Sequence, residues 1–184
     1  MVEYFIADTH FEHDAIIKFC DRPFESITEM NRTLVENWNN RVTNNDHIYV
    51  VGDLFYGGRD MASQKKAIEI VRNLNGVKHL ITGNHDLPYL ANPEYHSLFA
   101  DINNMRQIKC DGENVFLCHY PIAEWSGYFR GSYHIYGHIH NHKNAAFLHM
   151  RNIETALNAS VEIIHYMPVT FSELKIYNEA FKVN

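Results

Sequence analysis

Five short apolar runs in this chain each end on polar residues able to bind a metal ion. These are Asp8-Thr9-His10, Gly52-Asp53, Gly83-Asn84-His85-Asp86, His119, and Gly137-His138-Ile139-His140. Carboxylate, carboxamide and imidazole donors without thiolates suit borderline cations such as Mn, Fe, Zn or Ni, and disfavour an iron–sulfur centre or a zinc finger. Each element taken alone has a simpler reading, because an Asp after a strand usually caps a turn and a lone histidine usually satisfies a local hydrogen bond. The repetition after five successive apolar runs outweighs that reading. In α/β folds the loops beyond the carboxyl ends of strands converge on one crevice, so ligands far apart in sequence can meet there. The glycines before Asp53, Asn84 and His138 fit such a crevice, since a residue without a Cβ lets the chain approach a cluster closely.

The elements that must position these residues follow from the hydrophobic pattern, in which short apolar runs alternate with longer amphipathic segments. Residues 2–7, 47–51, 77–82, 115–118 and 133–136 read as strands. Ser26 with Glu29 makes a capping box for a helix that buries Met30, Leu34 and Trp38. A second helix follows Asp60, carries Ile68, Val71 and Leu74, and stops at Asn75-Gly76. Residues 151–164 read as β structure interrupted around Asn158, and Thr170 with Glu173 caps a final helix. The expected class is α/β, with no repeat or linker along the chain.

A chain of 184 residues with 46% hydrophobic content is long enough for one sizeable core and short for two enzyme domains, so residues 1–184 are expected to form one domain. No stretch approaches the ~20 apolar residues of a membrane span, and no secretory signal opens the chain. A soluble, cytoplasmic protein with no membrane association is expected. Cys20, Cys110 and Cys118 have no paired metal spacing and read as buried, reduced thiols. A formal net charge of -6 argues against non-specific coating of nucleic acid, which needs a basic surface. The thirteen histidines stand out, because histidine is both a metal ligand and the proton carrier near neutrality.

The ordered series Asp-x-His, Gly-Asp, Gly-Asn-His-Asp, a lone His and Gly-His-x-His resembles the calcineurin-like metallophosphoesterase superfamily. It spans residues 8–140, about 70% of the chain. The segments Asp8-Thr9-His10-Phe11-Glu12-His13 and Phe19-Cys20-Asp21-Arg22-Pro23-Phe24 look like the small stand-alone bacterial and phage members. The resemblance implies a double β-sandwich flanked by helices, a four-layer α-β-β-α arrangement with the metal site at the carboxyl ends of the strands. It also implies that Asp8, His10 and His140 hold one cation, that Asn84, His119 and His138 hold a second, and that Asp53 bridges both. Manganese leads the expected metals, followed by Fe, Ni or Zn. Two divalent cations less two carboxylates and one hydroxide leave about one positive charge, which would attract a phosphate even to an acidic protein.

Metals ~3.5–4 Å apart can share a water, lower its pKa and aim the resulting hydroxide at a phosphorus they also polarise. His85, beside Asn84 but outside the ligand set, is then the natural general acid, with Asp86 either orienting it or capping the segment at Leu87-Pro88. His13, Arg22 and Tyr120 are candidate substrate contacts, and Arg59 is a further one. Arg22 before Pro23 could equally be a structural turn residue. Tyr4, Phe11, Phe55, Tyr56, Trp125 and Tyr128 could stack bases, although aromatics beside strands are more often core.

The leading expectation is hydrolysis of a phosphodiester, with a small nucleotide or a nucleic-acid end as substrate. A phosphomonoesterase acting on a small molecule or phosphoprotein comes next. The protein Ser/Thr phosphatase branch carries Gly-Asp-x-x-Asp-Arg-Gly, whereas this chain reads Gly52-Asp53-Leu54-Phe55-Tyr56-Gly57-Gly58. A non-catalytic, metal-binding scaffold is a third reading, opposed by the intact His85 and ligand set. His142, His149 and His165 add imidazoles with no assigned motif.

Overall fold

The computed structural model describes residues 1–57 and 60–183. Arg59 therefore lies outside the described residues. In chain order the elements are β1 (Glu3–Ile6), α1 (Asp14–Phe19), α2 (Ile27–Arg41), β2 (His47–Val50), α3 (Met61–Asn73), β3 (Val77–Ile81), α4 (Leu87–Leu90) and α5 (Pro93–His96). They continue with β4 (Asp101–Asn103), β5 (Met105–Cys110), β6 (Glu113–Cys118), a 3₁₀ turn (Tyr128–Arg130), β7 (Tyr133–Tyr136), α6 (Ala145–Met150), β8 (Ala156–Asn158), β9 (Val169–Thr170) and α7 (Phe171–Val183).

Among the described residues two sheets result, in a mixed α/β fold of the class the sequence implied. One has the order β4-β3-β2-β1-β9 and the other β5-β6-β7-β8. The first four strands of the former run parallel, with β9 antiparallel at the edge of β1. Strands of a parallel sheet covered on both faces need continuous apolar runs, and Phe5, Ile6, Ile48, Val50, Leu80 and Ile81 are all buried. The second sheet opens with the β5–β6 hairpin and continues parallel through β7 and β8. Its side chains divide by the two-residue period of a strand. Val115, Leu117 and Ile135 enter the core shared with the first sheet, while Phe116, Cys118 and Tyr136 enter a second cluster with Trp125, Phe147 and Met150.

The capping signals at Ser26 and Thr170 act as expected, and Asp60 caps the helix that follows it. Ser26 Oγ accepts the Glu29 amide at 3.2 Å, Asp60 Oδ1 accepts the Ser63 amide at 3.0 Å, and Thr170 and Glu173 exchange hydrogen bonds at the start of α7. Met30, Leu34 and Trp38 form the buried face of α2. All three cysteines are buried and free. No helix among the described residues is long and apolar enough to cross a membrane.

The expectation for residues 151–164 needs correction, since only Ala156–Asn158 pairs as a strand. Beyond it the chain leaves its sheet to bond the end of β1, with Ala7 N donating to Ala159 O at 2.8 Å and Val161 N to Ala7 O at 3.1 Å. That junction joins the two sheets where their strand ends carry polar residues. The loops there are also tied to one another: Asp8 N donates to Gly52 O at 3.0 Å, His10 N to Asp53 O at 3.1 Å, and Gly137 N to His119 O at 2.9 Å.

Candidate metal centre

The backbone at this junction is shaped for convergence. Asp8, His10, Asp53, His138 and His140 all adopt left-handed conformations, with φ of 57°, 49°, 54°, 71° and 50°. Such conformations cost a non-glycine residue ~1–3 kcal/mol each and persist where the surrounding structure over-determines them, which is typical of functional loops. Close approach also explains two of the glycines. A Cβ on Gly83 would lie 2.1 Å from Asp53 Oδ1, and one on Gly137 would lie 2.5 Å from Asp8 Oδ2.

Asp53 sits at the centre. Its Oδ2 is approached by Nε2 of His119 at 3.4 Å, of His10 at 3.6 Å and of His85 at 4.0 Å. Neither His10 Nε2 nor His119 Nε2 has a hydrogen-bond partner among the described residues, although both are buried. Buried polar atoms are rarely left unpaired, and donors spaced in this way around a carboxylate match the ligand set of a shared cation. The groups Asp8–His10–His140 and Asp53–His119–His138 each present ligand atoms within 4.8 Å of one another, as does His10–Asp53–His85. Asn84 joins the second group through its Oδ1, 3.1 Å from His138 Nδ1. The residues present therefore fit divalent cations, and the seven expected ligands lie in one place.

Hydrogen bonds behind these side chains fix which ring nitrogen faces the cluster. His119 Nδ1 donates to Val51 O at 2.9 Å, and His140 Nδ1 to Glu162 Oε1 at 3.1 Å. In each neutral ring the lone pair is then on Nε2, the arrangement metal-binding histidines use. Ser160 Oγ donates to Asp8 Oδ2 at 2.6 Å, and the His138 amide donates to the same oxygen at 2.9 Å. Burial pushes the Asp53 carboxyl up, but the His119 and His10 imidazoles outweigh burial and hold it at about 2. Burial lowers His140, yet the Asp8 charge, Cys20 and Glu162 together raise it well above its usual value. A cation binding here must displace such protons, so its affinity falls as pH falls.

Glu162, Ser160 and Asn158 were not singled out from sequence. Asn158 ends the three-residue strand β8, and Ser160 and Glu162 follow it; the interruption read around Asn158 was the one visible trace of all three. Asn158 Nδ2 donates to His140 O at 2.9 Å while its own amide donates to Asn178 Oδ1 at 2.7 Å.

Two expected roles change. Asp86 makes no hydrogen bond to His85; its fully buried carboxylate accepts the amides of Asp53, Leu54 and Gly83 at 2.9, 3.0 and 2.7 Å. Burial and then the Asp53 charge push its pKa up to about 6, against those three donors. Arg22 is not a substrate contact but a buried brace. Its guanidinium donates to Thr9 O at 2.9 Å, to Asp8 O at 2.7 Å and to Glu162 Oε1 at 2.6 Å. Facing inward satisfies the carbonyls of the Asp-x-His turn and leaves the guanidinium away from the cavity.

The cavity beside the cluster measures about 760 Å³, and His85, His13 and Tyr120 line it together with the expected ligands His10, Asp53, Asn84, His138 and His140. The His85 side chain is 37% exposed. His13 stacks on Tyr56 at 3.6 Å between centroids, and burial, then His85, bring its pKa down to about 4. Tyr120 meets His138 edge-on at 4.7 Å. Of the six aromatics considered for base stacking, only Tyr56 lines the cavity, while Tyr4, Phe11, Phe55 and Trp125 are core. His142 also lines the cavity; His149 and His165 do not.

Residues 1–158 match the family profile described as the calcineurin-like phosphoesterase superfamily domain. An uncharacterised protein of Methanocaldococcus jannaschii is 37% identical over 167 residues, covering 91% of this chain and 85% of that relative. The gene 66 protein of Mycobacterium phage L5 is 24% identical, covering 85% of this chain and 86% of the phage protein. A crystal structure of a protein of unknown function from Aquifex aeolicus is 26% identical with a TM-score of 0.72, covering 95% of this chain and 97% of that one.

Proposed function

The chain belongs to the calcineurin-like phosphoesterase superfamily, and from that premise we propose that it hydrolyses a phosphodiester at two divalent cations held by seven side chains. Asp8, His10 and His140 would hold the first, Asn84, His119 and His138 the second, and Asp53 would be shared by both. The observation that carries this reading is the set of imidazole nitrogens around Asp53 Oδ2, two of them buried and without a hydrogen bond among the described residues. Manganese is the leading candidate, with Fe, Ni or Zn compatible with the same donors.

Cations bound in this way supply an activated water as nucleophile and polarise the phosphoryl oxygens. The rest falls to the chain. Asp53 balances the positive charge, and its Oδ1 holds the His85 amide at 2.8 Å, which sets the height of the His85 ring over the cluster. His85 carries the proton that the departing oxygen takes as the phosphorus–oxygen bond breaks. Asp86 keeps the Gly52-Asp53 and Gly83-Asn84 turns together through three amides. Glu162, itself held by Arg22, orients His140.

That last role makes a prediction separate from turnover. Glu162→Gln keeps the volume but weakens the acceptor behind His140, and loss of such a partner lowers metal affinity by ~10–100-fold. Calorimetric titration with Mn²⁺ should show one of two sites weakened to that extent; two unaltered sites would remove Glu162 from this role.

The function itself is tested on metal-stripped protein reconstituted with Mn, Ni, Zn or Mg and offered bis(p-nitrophenyl) phosphate and p-nitrophenyl phosphate. Metal-dependent turnover that favours the diester is expected. A preference for the monoester would replace the reading by phosphomonoesterase.

A further inference from the structure

Resting on the phosphodiesterase reading, we infer that the far half of the cavity is a seat for the base of a nucleoside that carries a single phosphoester group, with Phe19 as its stacking surface. The metal cluster occupies only one part of the cavity wall. The remainder includes the apolar and aromatic residues Ile16, Phe19, Tyr120, Pro121, Ile139 and Ala146.

Phe19, the last residue of α1, is 65% exposed, and Tyr120 is 44% exposed. Elsewhere the large aromatics of this chain are mostly buried in the two clusters. Leaving a phenylalanine open forgoes the gain of burying its ring, so an open Phe lining a reactive site is suited to a partner that covers it. His142 holds the ring in place, meeting it edge-on at 4.8 Å. The free face of a ring fixed in this way is a surface on which a planar group stacks.

Charge selects among planar groups. No Lys or Arg is among the described residues lining the cavity. A nucleic-acid strand or a polyphosphate would bring anionic groups into a wall that offers no cation, whereas tracking a strand requires a basic groove. The anionic part of the ligand therefore belongs at the metal cluster alone. The wall does offer polar groups to a heterocycle: His142, and Asn144, whose Oδ1 caps α6 by accepting the Phe147 amide at 3.0 Å and whose Nδ2 has no protein partner among the described residues. A simple alkyl chain would use neither.

Three diesters with the same p-nitrophenolate leaving group and with thymidine, methyl or hexyl as the retained group test the assignment on Mn²⁺-loaded protein. Base stacking is worth ~1–3 kcal/mol, so kcat/KM for the thymidine diester should exceed that for the methyl diester by at least about fivefold. Phe19→Ala should collapse that ratio and Phe19→Trp should retain it. A merely structural defect would lower both rates and leave the ratio standing. Equal rates on thymidine and methyl diesters, a ratio unmoved by Phe19→Ala, or an equal gain from the hexyl diester would each overturn the base seat. Binding is read independently of turnover by titrating Mn²⁺-loaded protein with thymidine 5′-monophosphate and with inorganic phosphate. Tighter binding of the nucleotide, lost in Phe19→Ala, supports the seat even where no diester is cleaved; equal affinities overturn it.

Discussion

Asp53→Asn is expected to reduce turnover by ~10³-fold or more while leaving the protein folded, because charge stabilisation by bound cations is worth several kcal/mol and each ~1.4 kcal/mol is tenfold in rate. The substitution is nearly isosteric. The new carboxamide oxygen would still accept the His85 amide that Asp53 Oδ1 now holds at 2.8 Å, so the loops around it keep their anchor. What disappears is the negative charge on the oxygen approached by three imidazole Nε2 atoms at 3.4, 3.6 and 4.0 Å. A neutral carboxamide would not offset the charge of the two proposed cations, and bound metal per chain should fall together with the rate. Elemental analysis of the purified variant, beside its circular dichroism and its kcat/KM, separates this from unfolding. Full metal content with native turnover would remove Asp53 from the bridging position.

His85→Ala should act on a different quantity. Losing a positioned proton donor costs ~10²–10⁴-fold in rate, but metal content should stay at the native level, because His85 lies outside the seven proposed ligands. The geometry makes this a demanding test, since His85 Nε2 is within ligand range of His10 and Asp53. If His85 ligates a cation, the variant loses metal as well as rate. The leaving group offers a second readout. A nitrophenolate departs without a proton, so the loss with a nitrophenyl diester should be much smaller than with a diester whose alkoxide must be protonated. An equal loss on both would contradict the general-acid role.

The sequence was most informative where chemistry and secondary structure coincide. Asp8, Asp53, Asn84, His119, His138 and His140 each stand just beyond an apolar run, and buried parallel strands make such runs easy to read. Helices α2, α3 and α7 were legible for a local reason: Ser26, Asp60 and Thr170 act within three residues of themselves and an amphipathic run of 13 to 15 residues follows each, whereas α5 and α6, also capped by side chains, have four and six residues, too few to show a helical period. Long-range partners were not. Glu162 reaches Arg22 across 140 positions and Ser160 reaches Asp8 across 152, and neither leaves a periodic or motif signal.

Direction was also hidden. Arg22 has the chemistry of a phosphate ligand, but the carbonyls of Asp8 and Thr9 and the buried carboxylate of Glu162 draw it inward. Asp86 has the chemistry of a histidine partner, but the amides of two neighbouring turns take both of its oxygens. The short strands β4 and β9 have three and two residues, too few for a pattern, and pair through backbone contacts with neighbours that no local window includes.

That a pair of cations at this junction makes the protein a hydrolase is tested most directly by stepwise addition of Mn²⁺ to metal-stripped protein, with bound metal counted while diester hydrolysis is followed. Binding should saturate at two cations per chain, with hydrolysis rising as the second site fills. Hydrolysis without metal, full activity with a single cation, or two tightly bound cations with no hydrolysis would contradict it.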